Sequence, residues 1–287
     1  MIAETAQPAG VSQLPLADFI FGSTPGMDEV RATLKAAQQD DLPVLIEGES
    51  GTGKEVIARY LHLCSQRATG PFVRVNCGAI PARQLEVEMF GSETGSSAGS
   101  AGDPGNSSVG LAESGTLFLD GILEMDPGLQ QRVVQVLKSG RCGAGERKRP
   151  SARIVCATSI DVQTAAISQA GAAESLSSHF GYRVRLLPLR ERKQDMPQLC
   201  QYLLDKFARS FGRPVPRLSP YVLESFKQWD WPGNIRELEN WTARIVIFGT
   251  EEAIGLEFSR QMGAREAFRY RAVRGDESRL RRGRRHG

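Results

Sequence analysis

The stretch GESGTGKE, residues 48–55, carries glycines, a hydroxyl and a lysine at the spacing of a phosphate-binding loop. The glycines allow backbone N–H groups to turn towards phosphate oxygens, and the N-terminus of a following helix favours negative charge. Lys54 can then reach the outer phosphates. The alternative is an ordinary Gly-rich turn. The predicted nucleotide-binding residues are Gly48, Glu49, Ser50, Gly51, Thr52, Gly53, Lys54 and Glu55.

A second candidate lies at the end of GTLFLD, residues 115–120. This apolar run places Asp120 where a carboxylate can hold the Mg²⁺ of a bound nucleotide, although a helix N-cap would also suit an Asp there. Lys54 is followed by Glu55 instead of Ser or Thr, so the metal needs another ligand, such as Thr52 or water. The next residue is Gly121, where many such enzymes carry a second acid that activates water. The sequence therefore raises the question of binding without hydrolysis.

The elements that must position these residues alternate between strand-like and helix-like patterns. PVLIEG, PFVRVNC, GTLFLD and ARIVCAT are apolar runs typical of buried strands, and EVIARYLHLC and GLQQRVVQVLKSG have helical spacing between them. This alternation predicts an α/β fold with a parallel sheet covered on both faces. After Pro188, residues 195–212, 219–229 and 234–248 predict three helices of a small helical domain.

The composition limits the class of protein. The chain has 287 residues, of which 40% are hydrophobic and 24% charged, and no apolar run approaches the ~20 residues of a membrane span. We expect no signal peptide, no membrane association and a cytoplasmic location with reduced cysteines. Neither the cysteines nor the histidines show metal-ligand spacing; they are Cys64, Cys77, Cys142, Cys156, Cys200, His62, His179 and His286.

The charge is concentrated at the end of the chain. Residues 259–287 contain ten Arg and three acidic residues, a net +7, so the remainder carries −4 of the total +3. An Arg-rich tail can bind nucleic acid through phosphates without reading sequence, or it can be a solvated, disordered segment. The predicted organisation is a linker (1–18), a nucleotide-binding α/β domain (19–190), a helical domain (191–258) and the tail (259–287).

The order and spacing of five motifs resemble one family. GESGTGKE, VRVNC (73–77), GTLFLD, LPLRER (187–192) and WPGNIRELEN (231–240) look like the central AAA+ domain of bacterial enhancer-binding proteins, the activators of sigma-54 RNA polymerase. The resemblance covers residues 19–250. It implies a P-loop AAA+ domain with a helical lid, a ring of subunits with ATP and Mg²⁺ between them, and remodelling of the sigma-54 holoenzyme.

The same resemblance implies a role for each matching position. The loop 48–55 would hold the triphosphate and Asp120 the Mg²⁺. Asn76 would couple the nucleotide state to the catalytic acid, and Arg236 in the lid would sense the γ-phosphate. Arg183 matches one of two arginines that reach a neighbouring subunit's ATP.

Two departures concern the acid and the sigma-54 contact. The family has LFLDE where this chain has LFLDG, so Gly121 replaces the water-activating Glu. We expect no substitution by Glu124, four residues beyond Asp120. The sigma-54-contacting loop, GAFTGA in the family, is GSSAGS at 95–100, which lacks the aromatic and threonine side chains.

Two further departures affect residues that support hydrolysis. The first of the paired arginines falls on Ser177, and the segment after Arg183 is about five residues shorter than the family pattern. The sensor Asn after the fourth strand is Ser159. The phosphate-binding residues are retained.

These observations predict an ATP-binding regulator with impaired hydrolysis and sigma-54 remodelling. Two alternatives are an active ATPase whose departures are compensated and a non-hydrolysing subunit that modulates a competent relative's ring. A nonspecific nucleic-acid binder and a product without a selected role also stay open. We expect no receiver domain in the 18 residues before the ATPase region and no helix-turn-helix of the family's type after it. For the second expectation two explanations stay open: a truncated chain, or an Arg-rich tail that is a crude substitute for that domain.

Overall fold

The computed structural model describes residues 4–6, 14–91, 107–139, 152–160 and 176–251. The loop predicted to touch sigma-54 (95–100) and the Arg-rich tail (259–287) lie outside these ranges, as does most of the predicted linker. Two compact units divide the chain, Met1–Pro188 and Leu189–Gly287. No helix within the described ranges is long and apolar enough to cross a membrane.

A sheet of six strands organises the first unit, in the spatial order β1-β3-β4-β5-β2-β6. β1 pairs with β3 antiparallel, and the other pairs are parallel. The predicted parallel sheet is therefore confirmed. The strands are β1 (Glu4–Ala6), β2 (Val44–Glu47), β3 (Phe72–Asn76), β4 (Thr116–Asp120), β5 (Arg153–Thr158) and β6 (Tyr182–Arg185).

Sequence patterns missed β6, and its burial shows why. Within YRVR only Val184 is buried, because the strand lies at the edge of the sheet. Such an edge strand lacks the continuous apolar run by which β2, β4 and β5 were recognised.

Helices cover both faces of this sheet. Along β4, Leu117 and Leu119 join a core with Leu129 and Val133, whereas Phe118 joins a separate core on the other face. This alternation follows from the two-residue period of a strand. The helices are α1 (Ala17–Phe21), α2 (Pro25–Ala37), α3 (Lys54–Leu63), α4 (Ala82–Phe90), α5 (Ser108–Leu111) and α6 (Pro127–Ser139).

The second unit contains the three helices predicted after Pro188: α7 (Met196–Phe211), α8 (Pro220–Gln228) and α9 (Asn234–Phe248). Ser219 caps α8 by accepting a hydrogen bond from the Val222 N–H. Trp231 is fully buried, and its indole Nε1 donates to the Phe226 carbonyl at 2.7 Å. The WPGN turn thus anchors the start of α9 in its own core.

Candidate functional site

Four parallel strands end side by side at one edge of the sheet, which we call the carboxyl edge. Asn76 lies opposite Asp120 in the register, Asp120 lies opposite Ala157, and Glu47 lies opposite Thr158. Ligands of parallel α/β sheets bind at this edge because loops and helix N-termini converge there. The ends of β2, β3 and β4 therefore bring the phosphate loop, Asn76 and Asp120 to the same edge of the sheet, whereas Arg183 lies on β6.

The phosphate loop, residues 48–55, connects β2 to α3 as predicted. Gly53 precedes the helix with φ of +96°, a left-handed conformation that glycine adopts without steric cost. Thr52 is buried, and its hydroxyl donates to the Glu49 carbonyl at 2.8 Å. The turn and the helix N-terminus together form a cradle of the kind that binds phosphate.

The Lys54 side chain is held inside this loop and is only 7% exposed. Its Nζ donates to the Gly48 carbonyl at 2.7 Å, the Glu49 carbonyl at 3.0 Å and Ser159 Oγ at 2.9 Å. The serine at the sensor position is thus a direct partner of the loop lysine. Three oxygen acceptors hold the ammonium group at the carboxyl edge, where a phosphate could replace them.

Glu55 turns towards the sheet and not towards the loop. One carboxylate oxygen pairs with Arg59 at 2.8 Å, and the other lies 3.1 Å from Nη1 of Arg74 on β3. The Arg59 guanidinium also covers the Phe72 ring, 4.7 Å from its centroid. The side chain of Glu55 is therefore occupied by two arginines.

Arg74 continues this set of contacts to the predicted metal ligand. Its Nη2 donates to Asp120 Oδ2 at 3.0 Å. We call Arg59, Glu55, Arg74 and Asp120 the arginine–carboxylate network. It joins α3, β3 and β4, and it places a cation against the carboxylate that would face Mg²⁺.

Gly121 follows Asp120 in a left-handed conformation, with φ of +88°. A Cβ placed on this residue would lie 3.1 Å from Oε2 of Glu124. The same oxygen lies 2.7 Å from the Cβ position of Gly78, beyond the end of β3. The Glu124 carboxylate therefore occupies the space beside residue 121, a position that the sequence left undetermined.

Two buried cysteines near the carboxyl edge, Cys77 and Cys156, are unsuited to act as nucleophiles. Burial raises the pKa of Cys77 to about 12, and the charges of Asp120 and Glu124 add to the shift. Burial likewise raises the pKa of Cys156, on β5, well above its usual range. A thiolate at the carboxyl edge is therefore disfavoured at neutral pH.

The predicted trans arginine lies on the edge strand β6. Arg183 is 48% exposed, and its Nη2 contacts Glu47 Oε1 at 3.0 Å. Ser177, at the position of the other arginine, is buried. The predicted trans arginine is thus half-exposed and paired with the last residue of β2.

The remaining two predicted residues are exposed. Asn76 Oδ1 accepts from the Gly78 N–H at 3.3 Å, at the end of β3. Arg236 lies in the first turn of α9, in the second unit. Their roles stay predictions.

Sequence reasoning missed Arg74, which links two predicted site residues. A signal was present, because VRVN places a charged residue inside a short apolar strand. The contact between Lys54 and Ser159 could not be found this way, because those residues are 105 positions apart.

Comparison with known proteins supports the family that the sequence motifs resemble. Residues 20–190 match the family described as sigma-54 interaction domain, and residues 190–266 match an AAA+ ATPase lid domain. The DNA-binding transcriptional regulator NtrC of Azospirillum brasilense is 40% identical over 85% of this chain and 50% of its own length. The C4-dicarboxylate transport transcriptional regulatory protein DctD of Rhizobium meliloti is 36% identical over 88% of this chain and 54% of its own length.

A solved structure shares the fold. The NtrX protein of Brucella abortus, crystallised in complex with ATP, superposes with a TM-score of 0.72 at 26% identity, over 84% of this chain and 52% of that one. The chain spans about half the length of these relatives. It belongs to the sigma-54 interaction domain family of AAA+ proteins, the sigma-54 activators.

Proposed function

We propose that this chain is an ATP-binding transcription regulator of the sigma-54 activator type whose ATP hydrolysis and sigma-54 remodelling are impaired. The observation that carries the proposal is a contrast within one sheet edge. Lys54 lies among oxygen acceptors in an intact phosphate loop, whereas position 121 is a left-handed glycine. The first feature supports binding, and the second removes a group needed for hydrolysis.

Binding of ATP is supported by the loop and by the relative. The loop 48–55 connects a buried strand to a helix N-terminus, the arrangement that binds phosphates in P-loop proteins. NtrX of Brucella abortus was crystallised with ATP and with ADP. In this proposal Gly48 to Glu55 form the phosphate site, and Arg236 keeps the γ-phosphate-sensing role that the family resemblance implies.

The residues at the carboxyl edge fit Mg²⁺ through a single carboxylate. No group of three or more His, Cys, Asp or Glu side chains that could hold a metal occurs within the described ranges. Nucleotide-bound Mg²⁺ needs only one or two carboxylates, because phosphates and waters supply its other oxygens. Asp120 would hold the metal, whose charge would offset that of the phosphates.

Impaired hydrolysis follows from the groups that are missing. Loss of a general base typically lowers a rate by ~10²–10⁴. An arginine acting on a transferred phosphate contributes ~10³–10⁵ in related enzymes, and Ser177 replaces one of two such arginines. Ser159 supplies a hydroxyl that already accepts from Lys54, in place of an amide.

A specific observation favours a second candidate, an active ATPase that uses Glu124. Its Oε2 lies 3.1 Å from the Cβ position of residue 121, beside the place where the family's acid begins. Glu124 is exposed, so water can reach it. Glu124→Gln separates the candidates, since it abolishes turnover only if this carboxylate is the base.

The proposed partners follow from the family. We propose a ring with copies of itself or with a related AAA+ subunit, and a contact with the sigma-54 holoenzyme weakened by the altered loop 95–100. The Arg-rich tail would bind DNA nonspecifically. Deleting residues 274–287 should then remove DNA binding, and that binding should weaken steeply with salt.

The decisive experiment pairs two measurements on one sample. ATP affinity is determined by calorimetry with Mg²⁺, and phosphate release is followed at high protein concentration. We expect clear binding and turnover near background. Absence of binding would overturn the proposal, and turnover that Glu124→Gln abolishes would establish the second candidate.

A further inference from the structure

We propose that Arg74 competes with the divalent cation for Asp120, so that nucleotide binding by this chain depends only weakly on magnesium. The inference rests on the proposed nucleotide binding and concerns the cation that accompanies the phosphates. Arg74 is a positioning residue in this proposal, acting through Asp120 on the cation.

The carboxylate of Asp120 is already hydrogen-bonded to Arg74. Nη2 of Arg74 donates to Asp120 Oδ2 at 3.0 Å, and both side chains are 27% exposed. A charge-assisted hydrogen bond of this length is among the stronger polar contacts in proteins. A cation that binds the same carboxylate must displace the guanidinium or share the carboxylate with a nearby positive charge.

The second terminal nitrogen of the Arg74 guanidinium is held by Glu55. Nη1 lies 3.1 Å from Glu55 Oε2, and the opposite oxygen of Glu55 is held by Arg59 at 2.8 Å. Arg59 in turn packs on the Phe72 ring. Arg74 Nε is buried and donates to no partner among the described residues, so the position of the guanidinium depends on these two carboxylates.

The charges of the arginine–carboxylate network also disfavour a metal at Asp120. Its two arginines and two carboxylates are formally neutral together. A divalent cation at Asp120 would add two positive charges beside an anchored guanidinium, and like charges at such distances disfavour binding. Without a metal, Arg74 already compensates the negative charge of Asp120 at the carboxyl edge, where the phosphates would lie.

The test measures the affinity of adenylyl imidodiphosphate, a non-hydrolysable ATP analogue, with saturating Mg²⁺ and with EDTA. In the wild-type chain we expect Mg²⁺ to change the affinity only a few fold. In Arg74→Gln we expect Mg²⁺ to raise it about 10- to 100-fold, the factor that corresponds to one charge-assisted hydrogen bond. Electron paramagnetic resonance of Mn²⁺ should show tighter metal binding in the variant.

Two variants separate this role from a purely structural one. Arg59→Gln removes the contacts of Arg59 with Glu55 and with the Phe72 ring but leaves the hydrogen bond between Arg74 and Asp120, so it should keep the weak magnesium dependence of the wild type. Arg74→Lys retains the charge and should resemble the wild type more than Arg74→Gln does, which also guards against a glutamine variant that fails to fold.

The outcomes distinguish the two proposals. Equal magnesium dependence in the wild type and Arg74→Gln would overturn this inference and leave nucleotide binding standing. Failure of the wild type to bind the analogue under either condition would overturn both.

Discussion

The phosphate loop and the end of β4 lie on the same sheet edge, yet they differ in how their chemistry is built. The loop depends on backbone turns and on one lysine held by Gly48, Glu49 and Ser159. The end of β4 depends on individual side chains, of which Gly121 supplies none and Asp120 is paired with Arg74.

The difference shows why binding and hydrolysis can separate in one fold. A phosphate-binding turn belongs to the connection between a strand and a helix, so losing it would also disturb the packing of β2 and α3. A catalytic carboxylate at a strand end contributes little to packing. Its loss leaves the sheet intact, as the continued pairing of Gly121 N–H with the Ala157 carbonyl at 2.9 Å indicates.

The largest expected effect is a loss of ATP affinity when the phosphate loop is altered. Lys54→Ala removes the only side-chain cation of the loop 48–55 and should lower ATP affinity by about 10- to 100-fold, the range for a lost charge-assisted contact. Calorimetry measures the change, and Lys35→Ala on the exposed side of α2 is the matched control. Wild-type affinity in Lys54→Ala would mean that the loop does not bind the phosphates.

The next effect concerns the end of β4 and asks whether a carboxylate at position 121 restores ATP turnover. Gly121→Glu restores the family's acid. The left-handed conformation at this position costs a non-glycine residue roughly 1–2 kcal/mol. The new side chain would also lie beside the Glu124 carboxylate, which has the same charge. We expect lower unfolding free energy by urea titration and no gain in ATP turnover. Adding Glu124→Ala removes the charge contact, and turnover should rise only in this double variant.

A matched glycine isolates the cause of that destabilisation. Gly212 has φ of +61° with nothing within 4 Å of its Cβ position, so Gly212→Ala reports backbone strain alone. A larger loss in Gly121→Glu than in Gly212→Ala assigns the excess to Glu124. Full turnover in Gly121→Glu alone would contradict the incompatibility we infer.

A smaller effect concerns the packing of α3 against the start of β4, away from the carboxyl edge, where His62 contacts Thr116 at 2.9 Å. Burial lowers the pKa of His62, with a further contribution from the charge of Arg59. Protonation therefore favours the unfolded chain, and the unfolding free energy should fall as pH drops below about 6.5, by up to ~1.4 kcal/mol per pH unit. His62→Gln should remove this part of the slope in urea titrations, and an unchanged slope would exclude His62 as its source.

The smallest effect in the isolated chain concerns Arg183. Its partly exposed pair with Glu47 should contribute no more than about 1 kcal/mol to stability. Arg183→Ala should therefore leave both stability and ATP affinity nearly unchanged in the isolated chain. A large loss of ATP affinity would show that Arg183 acts on the nucleotide of its own subunit.

The sequence alone determined the parallel sheet, the three helices after Pro188 and the position of the phosphate loop. Apolar strand runs ending at turn residues and helical apolar spacing are local signals, so they survive without tertiary information. The glycine at 121 was likewise visible. β6 escaped because an edge strand buries only Val184.

Only the tertiary structure decided which groups meet at the carboxyl edge. Arg74 reaches both Glu55 and Asp120, and Lys54 reaches Ser159, because parallel pairing aligns the ends of strands far apart in sequence. The direction of Glu124 was also decided by the fold, since the left-handed turn at Gly121 sets where its carboxylate lies. Side-chain directions beyond a strand end depend on such turns and on neighbouring strands, which no local pattern encodes.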